Sequence, residues 1–229
     1  MSRALLLVAH GSPDARGQAS TEALADTVRG ELAGVHVAVG YLENAEPSVA
    51  HARAALAVDH DAITVVPLLF APGYHATADL PAQLDGTAAQ ITAPLGAHPL
   101  VAAAVRDRLI DAGTAPDATV VLVATGSREP AAIAEVDATA ELIGDLGGWR
   151  VIPTTAAEVG SAVELARSAG AHSVAVALLL LAPGVFADRI RDDAIAAGAD
   201  VVAEPIGQHP SIAVLVALRY AATTSEAAA

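Results

Sequence analysis

The chain repeats itself. The stretch LFAPGYHA (Leu69–Ala76) returns 111 residues later as LLAPGVFA (Leu180–Ala187). PLGAHPLVAAAVRDRL (Pro94–Leu109) returns at the same interval as PIGQHPSIAVLVALRY (Pro205–Tyr220). LLLVAHGSPD (Leu5–Asp14) matches VVLVATGSRE (Val120–Glu129) at an interval of 115, so a short insertion or deletion separates the copies. A unit of about 110 residues is far longer than a solenoid repeat and is long enough to be a domain. The 229 residues therefore divide into two homologous domains, 1–115 and 116–229. Gly113–Asp117, with its Gly, Thr, Pro and Asp, suits the junction.

Within each copy, short apolar runs alternate with Ala-rich stretches of helical length. The runs predict strands at Ala4–Ala9, Val35–Leu42 and Ala62–Phe70, then at Thr119–Ala124, Arg150–Pro153, Ser173–Leu181 and Asp200–Glu204. Helices are expected over Ser20–Leu32, Pro47–Val58, Leu100–Ile110, Pro130–Leu146, Ala157–Ala169, Asp188–Ala197 and Pro210–Ala221. In the second of these, Pro47 would stand at the helix start, where its missing N–H costs nothing. Strands alternating with helices predict an α/β fold, each domain a mostly parallel sheet flanked by helices.

Composition narrows the chemistry. All 12 cationic side chains are Arg, so no Schiff-base or Walker-type lysine exists. There is no Cys, which excludes disulfides, thiolate nucleophiles and thiolate metal sites. A metal must use His, Asp, Glu or backbone oxygen. The net charge of −14 argues against a nucleic-acid partner or an anionic membrane surface. Hydrophobic residues make up 54% of the chain, enough for a packed core, yet no apolar run approaches the roughly 20 residues that span a bilayer. The short apolar start is no signal peptide, and a soluble cytoplasmic protein is expected. No GxGxxG, Walker or GxSxG motif occurs.

A duplication also provides an internal control: residues needed for packing should persist in both copies, while those of a single active site need survive in only one. Three polar residues of the first half lose their chemistry in the second. His10 corresponds to Thr125, His75 to Phe186 and, at the 111 interval, Glu43 to Thr154. All three follow expected parallel strands, at the edge where ligands bind in open α/β sheets. Two imidazoles and a carboxylate there suit a divalent first-row metal with open positions, or acid–base work near neutral pH. His36, His51, His60 and His172 read as ordinary solvated or hydrogen-bonded side chains. His98 and His209 occupy matching places and read as helix entries. Gly11-Ser12, Gly126-Ser127, Pro72-Gly73 and Pro183-Gly184 recur in both halves and fit turns; N–H groups exposed at such turns can also bind a carboxylate.

The motifs LLLVAHGS, YLENAEPSV and VVPLLFAPGYHATADLP, in this order, resemble the CbiX/SirB-type class II chelatases, the sirohydrochlorin cobalto- and ferrochelatases. The resemblance spans the whole chain, because long members of that family carry two tandem halves. It implies a chelatase-like fold with the active site in the cleft between the domains. It also implies an enzyme, a lyase that inserts a divalent metal into sirohydrochlorin or a related tetrapyrrole for sirohaem or cobalamin synthesis. His10, His75 and Glu43 would bind the metal and assist insertion. Gly11, Ser12, Arg16, Gly73 and Tyr74 would contact the substrate. No permanent cofactor is implied; Fe2+ or Co2+, with Ni2+ also open, would be a substrate. Pro13 departs from the family, which often has Arg after His-Gly-Ser. Two fused halves imply a monomer. A metal or tetrapyrrole carrier without turnover would use the same three residues. A histidine phosphatase would carry Arg before the His, where this chain has Ala9.

Overall fold

The computed structural model describes Ser2–Glu226 of the backbone. The first half runs β1 (Arg3–Ala9), α1 (Ala15–Glu31), β2 (His36–Tyr41), α2 (Val49–Leu56), β3 (Ala62–Pro67), a π-helical turn (His75–Asp79), α3 (Leu80–Gln83), β4 (Gln90–Ile91) and α4 (Pro99–Asp111). The second half repeats the order: β5 (Thr119–Ala124), α5 (Pro130–Gly147), β6 (Arg150–Thr155), a 3-10 turn (Ala156–Glu158), α6 (Val159–Ser168), β7 (Val174–Leu178), α7 (Val185–Ala196), β8 (Val201–Val202) and α8 (Pro210–Glu226).

The strands form two parallel four-stranded sheets, ordered β2-β1-β3-β4 and β6-β5-β7-β8. This is the flavodoxin-type start of a doubly wound sheet, whose winding reverses between its first and third strands. The central strands are buried on both faces, which explains their continuous apolar sequence: Leu5, Leu6 and Leu7 are fully buried. Each such leucine contributes about 1.5–3 kcal/mol of burial free energy. Because side chains alternate across the sheet, Ala4, Leu6 and Val8 meet Val49, Ala52 and Leu56 of α2 with Leu80 and Leu84 on one face. In the other sheet, Val121 and Val123 meet α6 and α7.

Local sequence sets the helix starts. The Asp14 carboxylate accepts from the Arg16 N–H (2.9 Å), beginning α1 five residues before the expected Ser20. Ser48, not Pro47, opens the second helix: its Oγ accepts from the His51 N–H (3.3 Å) and Pro47 stays outside. The His98 and His209 rings receive the N–H groups of Leu100 (3.1 Å) and Ser211 (3.2 Å). Both histidines are therefore helix entries, as their matched positions suggest.

The compact units do not follow the repeats. One consists of Met1–Gly96 with Gln208–Ala229, the other of Ala97–Gly207. The expected division at 115/116 marks where the two sequence copies join; it does not mark where the packing divides. Each copy gives its last helix to the other unit, so α8 packs on α1 and β3, and α4 packs on α5 and β7. Matched arginines anchor them. Arg219 on α8 donates to the Leu95 carbonyl (3.1 Å), and Arg108 on α4 donates to the Ile206 carbonyl (2.8 Å). Removing residues 208–229 is therefore expected to cost amide hydrogen-exchange protection in β1–β3, and not in β5–β7 of its own sequence repeat. Equal protection loss in both sheets would contradict this assignment.

Candidate metal centre

Three adjacent strands of the first sheet deliver the site. His10 directly follows β1, Glu43 lies two residues beyond β2, and His75 opens the π-helical turn after β3. The β1–β2 ladder extends past the strands: the Leu42 N–H donates to the Ala9 carbonyl and the Glu43 N–H to the His10 carbonyl, both at 3.0 Å. Glu43 is thereby fixed beside His10. Gly11 makes the approach possible. Its φ is +97°, and a Cβ built there would lie 1.7 Å from the Glu43 carbonyl oxygen.

The three side chains converge. One ligand atom each from His10, Glu43 and His75 lies within 4.8 Å of the others, the sole such cluster of three among the described residues. His10 Nε2 is 3.3 Å from Glu43 Oε1, with both side chains 48% exposed. The His10 and His75 rings meet edge-on, centroids 4.6 Å apart at 77°. His10 Nδ1 lies 3.3 Å from the Gly11 carbonyl, and His75 Nδ1 lies 2.8 Å from Asp79 Oδ2. With the Nδ1 atoms so engaged, the tautomers that suit these partners leave both Nε2 lone pairs for a ligand. Two imidazoles and one carboxylate, half open to solvent, form a donor set for a divalent transition ion with positions to spare.

Behind His75 stands a second line of polar groups. Asp79 accepts from Gln83 Nε2 on Oδ1 (3.0 Å). Gln83 Nε2 also reaches the Leu42 carbonyl (3.4 Å), next to Glu43. These bonds, first from Gln83 and then from His75, hold the Asp79 carboxyl below the usual carboxylate value. The π-helical turn closes with the Leu80 N–H on the His75 carbonyl, an i to i+5 bond, and such turns are frequent at functional sites. Neither Asp79 nor Gln83 stands out in a search for imidazoles and carboxylates at strand ends. Their signal is the spacing His75, Asp79, Gln83, four residues apart each time.

The proposed substrate contacts fall differently. Gly11 and Ser12 adjoin His10, and Ser12 Oγ accepts from the Asp14 N–H (3.1 Å). The Gly73 N–H donates to the Ala71 carbonyl (2.9 Å), so it is engaged within its own turn. Tyr74 is 66% exposed, its ring 5.7 Å from that of His75. The Arg16 guanidinium lies against the Asp14 carboxylate, with a 2.6 Å contact from Nη2. A substrate carboxylate would compete with Asp14 for it.

The strand registers correct one pairing between the halves. Ala9 pairs with Tyr41, and Ala124 pairs with Thr155. Two residues further on, Glu43 thus corresponds to Ala157 and not to Thr154. The carboxylate is lost in the second half on either alignment.

The CbiX family model matches residues 4–112 and again 119–223. The chain belongs to the CbiX family. The double match is the tandem form of this class II chelatase fold, one copy per repeat. A sirohydrochlorin cobaltochelatase from Sulfurisphaera tokodaii is 35% identical over 109 residues, covering 46% of this chain and 89% of that protein. SirB from Bacillus subtilis with Fe3+ superposes with a TM-score of 0.79 at 25% identity, over 96% of this chain and 94% of that one. The sirohydrochlorin chelatase SirB from Bacillus subtilis subspecies spizizenii, in complex with cobalt, gives a TM-score of 0.81 at 24% identity. It covers the same shares, 96% and 94%. Among the described residues, no helix of this CbiX-family chain is long and apolar enough to cross a membrane.

Proposed function

We propose that this protein is a sirohydrochlorin chelatase that inserts Fe2+ or Co2+ into the tetrapyrrole. The observation that carries the reading is the His10–Glu43–His75 triangle at the carboxyl edge of the first sheet. Insertion exchanges two pyrrole N–H protons for one divalent ion, so each turnover needs a metal held loosely enough to be surrendered and bases for two protons. A three-donor set leaves coordination positions for pyrrole nitrogens. As the ion passes to the ring, the Nε2 atoms of His10 and His75 and the Glu43 carboxylate become free to accept the departing protons. Asp79, 2.8 Å from His75 Nδ1, holds the ring in place with Nε2 turned to the ion. The half-exposed donors suit a flat, bulky substrate that must meet the ion face-on.

Tyr74 offers an exposed ring for the macrocycle face, and Gly11, Ser12, Gly73 and Arg16 border the same edge, where substrate carboxylates would be received. Imidazole and carboxylate accept Fe2+ and Co2+ alike, so the physiological choice between sirohaem and cobalamin synthesis lies with metal supply as well as with the site. The protein acts in the cytoplasm on this reading.

The test is anaerobic incubation with sirohydrochlorin and Fe2+ or Co2+, followed by the macrocycle's absorbance. Wild type should accelerate insertion over the uncatalysed reaction, and the His10→Ala/His75→Ala variant should not. Binding of metal and macrocycle without acceleration would overturn the proposal in favour of a carrier.

A further inference from the structure

We infer that Asp79 and Gln83 are positioning residues that hold His75 and the Glu43 segment in one metal-binding geometry. The inference rests on the reading of His75 as a metal donor. Gln83 lies at the centre of the arrangement. Its Nε2 donates to Asp79 Oδ1 at 3.0 Å, and Asp79 Oδ2 sits 2.8 Å from His75 Nδ1. The same nitrogen reaches the carbonyl of Leu42 at 3.4 Å, the residue before Glu43. One amide therefore ties the arm that follows β3 to the arm that follows β2.

The second half serves as the control. At the 111 interval that aligns β3 with β7, His75, Asp79 and Gln83 become Phe186, Ile190 and Ala194. Ile190 and Ala194 are buried in the core beneath the second sheet, at 1% and 0% exposure. Packing alone is thus satisfied by apolar residues at both places. The half with the metal donors carries instead an acid and an amide, and both bond toward the donors. Its backbone differs as well, since His75–Asp79 is a π-helical turn where the second half has the regular helix α7. His75 and Asp79, four apart, lie on one side of that turn and are in contact there. Partners on the far nitrogen of a metal-binding imidazole fix its tautomer and orientation, and losing one typically costs 10–100-fold in metal affinity.

Anaerobic Co2+ titration, read from the visible absorption of the bound ion, tests this on the full chain. Asp79→Asn keeps the shape but turns an acceptor into a donor toward Gln83, and should weaken Co2+ binding about 10–100-fold. Gln83→Met should weaken it less, about 3–10-fold, because the carboxylate stays while its tether is lost. The two losses should not add in the double variant, since Gln83 acts largely through Asp79. In Co2+-loaded wild type, the His75 Nδ1–H should give a slowly exchanging, strongly shifted proton resonance. It should broaden or vanish in Asp79→Asn, a change that a packing role would not produce. Wild-type affinity in both variants, with binding lost in His75→Ala, would overturn the inference and leave the metal site standing. Wild-type affinity in His75→Ala would overturn the metal-site reading itself. Should Asp79→Asn fail to fold, Gln83→Met carries the same decision alone.

Discussion

His75→Phe should abolish metal insertion while leaving the fold in place. The substitution installs what the second half already carries at this position, where Phe186 tops a stable helix and is 45% exposed. His75 itself is surface-accessible, with its side chain 32% exposed, so a larger ring needs no cavity. The loss of a donor should exceed the 10–100-fold that follows loss of a partner behind one. The insertion rate should fall by more than about 100-fold, and thermal unfolding should shift by only a few degrees. Insertion by the variant at more than a tenth of the wild-type rate would remove His75 from the mechanism.

The matched glycines give the second large effect. Gly11 and Gly126 close the same turn with the same φ of +97°, and Ala at either should cost about 1–2 kcal/mol of backbone strain. Their surroundings differ. A Cβ on Gly126 would meet only the Thr155 side chain at 3.4 Å, whereas one on Gly11 would overlap the Glu43 carbonyl oxygen at 1.7 Å. Gly126→Ala should lower stability with Co2+ affinity unchanged. Gly11→Ala must push the Glu43 segment off the His10 carbonyl, and should lower stability further and Co2+ affinity by at least about tenfold. Urea unfolding and Co2+ titration on the pair separate the two effects. Equal metal affinity in both variants would mean that the close approach at Gly11 does not position Glu43.

Much of this was legible in the residues. Continuous apolar runs identify both central strands, and β5 falls at Thr119–Ala124 as expected. The asymmetry between the halves singles out His10, Glu43 and His75, which the fold brings together. Other features were hidden for physical reasons. Strand β4 is two residues long and exposed, so it leaves no apolar signature. The π-helical turn has no periodicity that five residues can display. Ser48 outranks Pro47 as the helix start because a hydroxyl can satisfy an open N–H and a pyrrolidine ring cannot. The helix exchange is invisible because α4 and α8 present equivalent faces. Val101, Ala102, Val105 and Leu109 match Ile212, Ala213, Val216 and Tyr220, all of them buried. Either helix could cover either sheet, and sequence similarity cannot say which it covers.

That exchange has a consequence for how the protein is made. The unit of Ala97–Gly207 is one unbroken segment and can close as soon as it has left the ribosome. The unit bearing His10, Glu43 and His75 is split, and its sheet waits for the final helix; the Thr64–Thr223 hydroxyl contact joins residues 159 apart. The strands that lead to His10, Glu43 and His75 therefore depend for cover on a helix of the second repeat, whereas the other unit needs only contiguous residues. For the same reason, a gene cut at the repeat junction would give two fragments, each of which carries the other's closing helix.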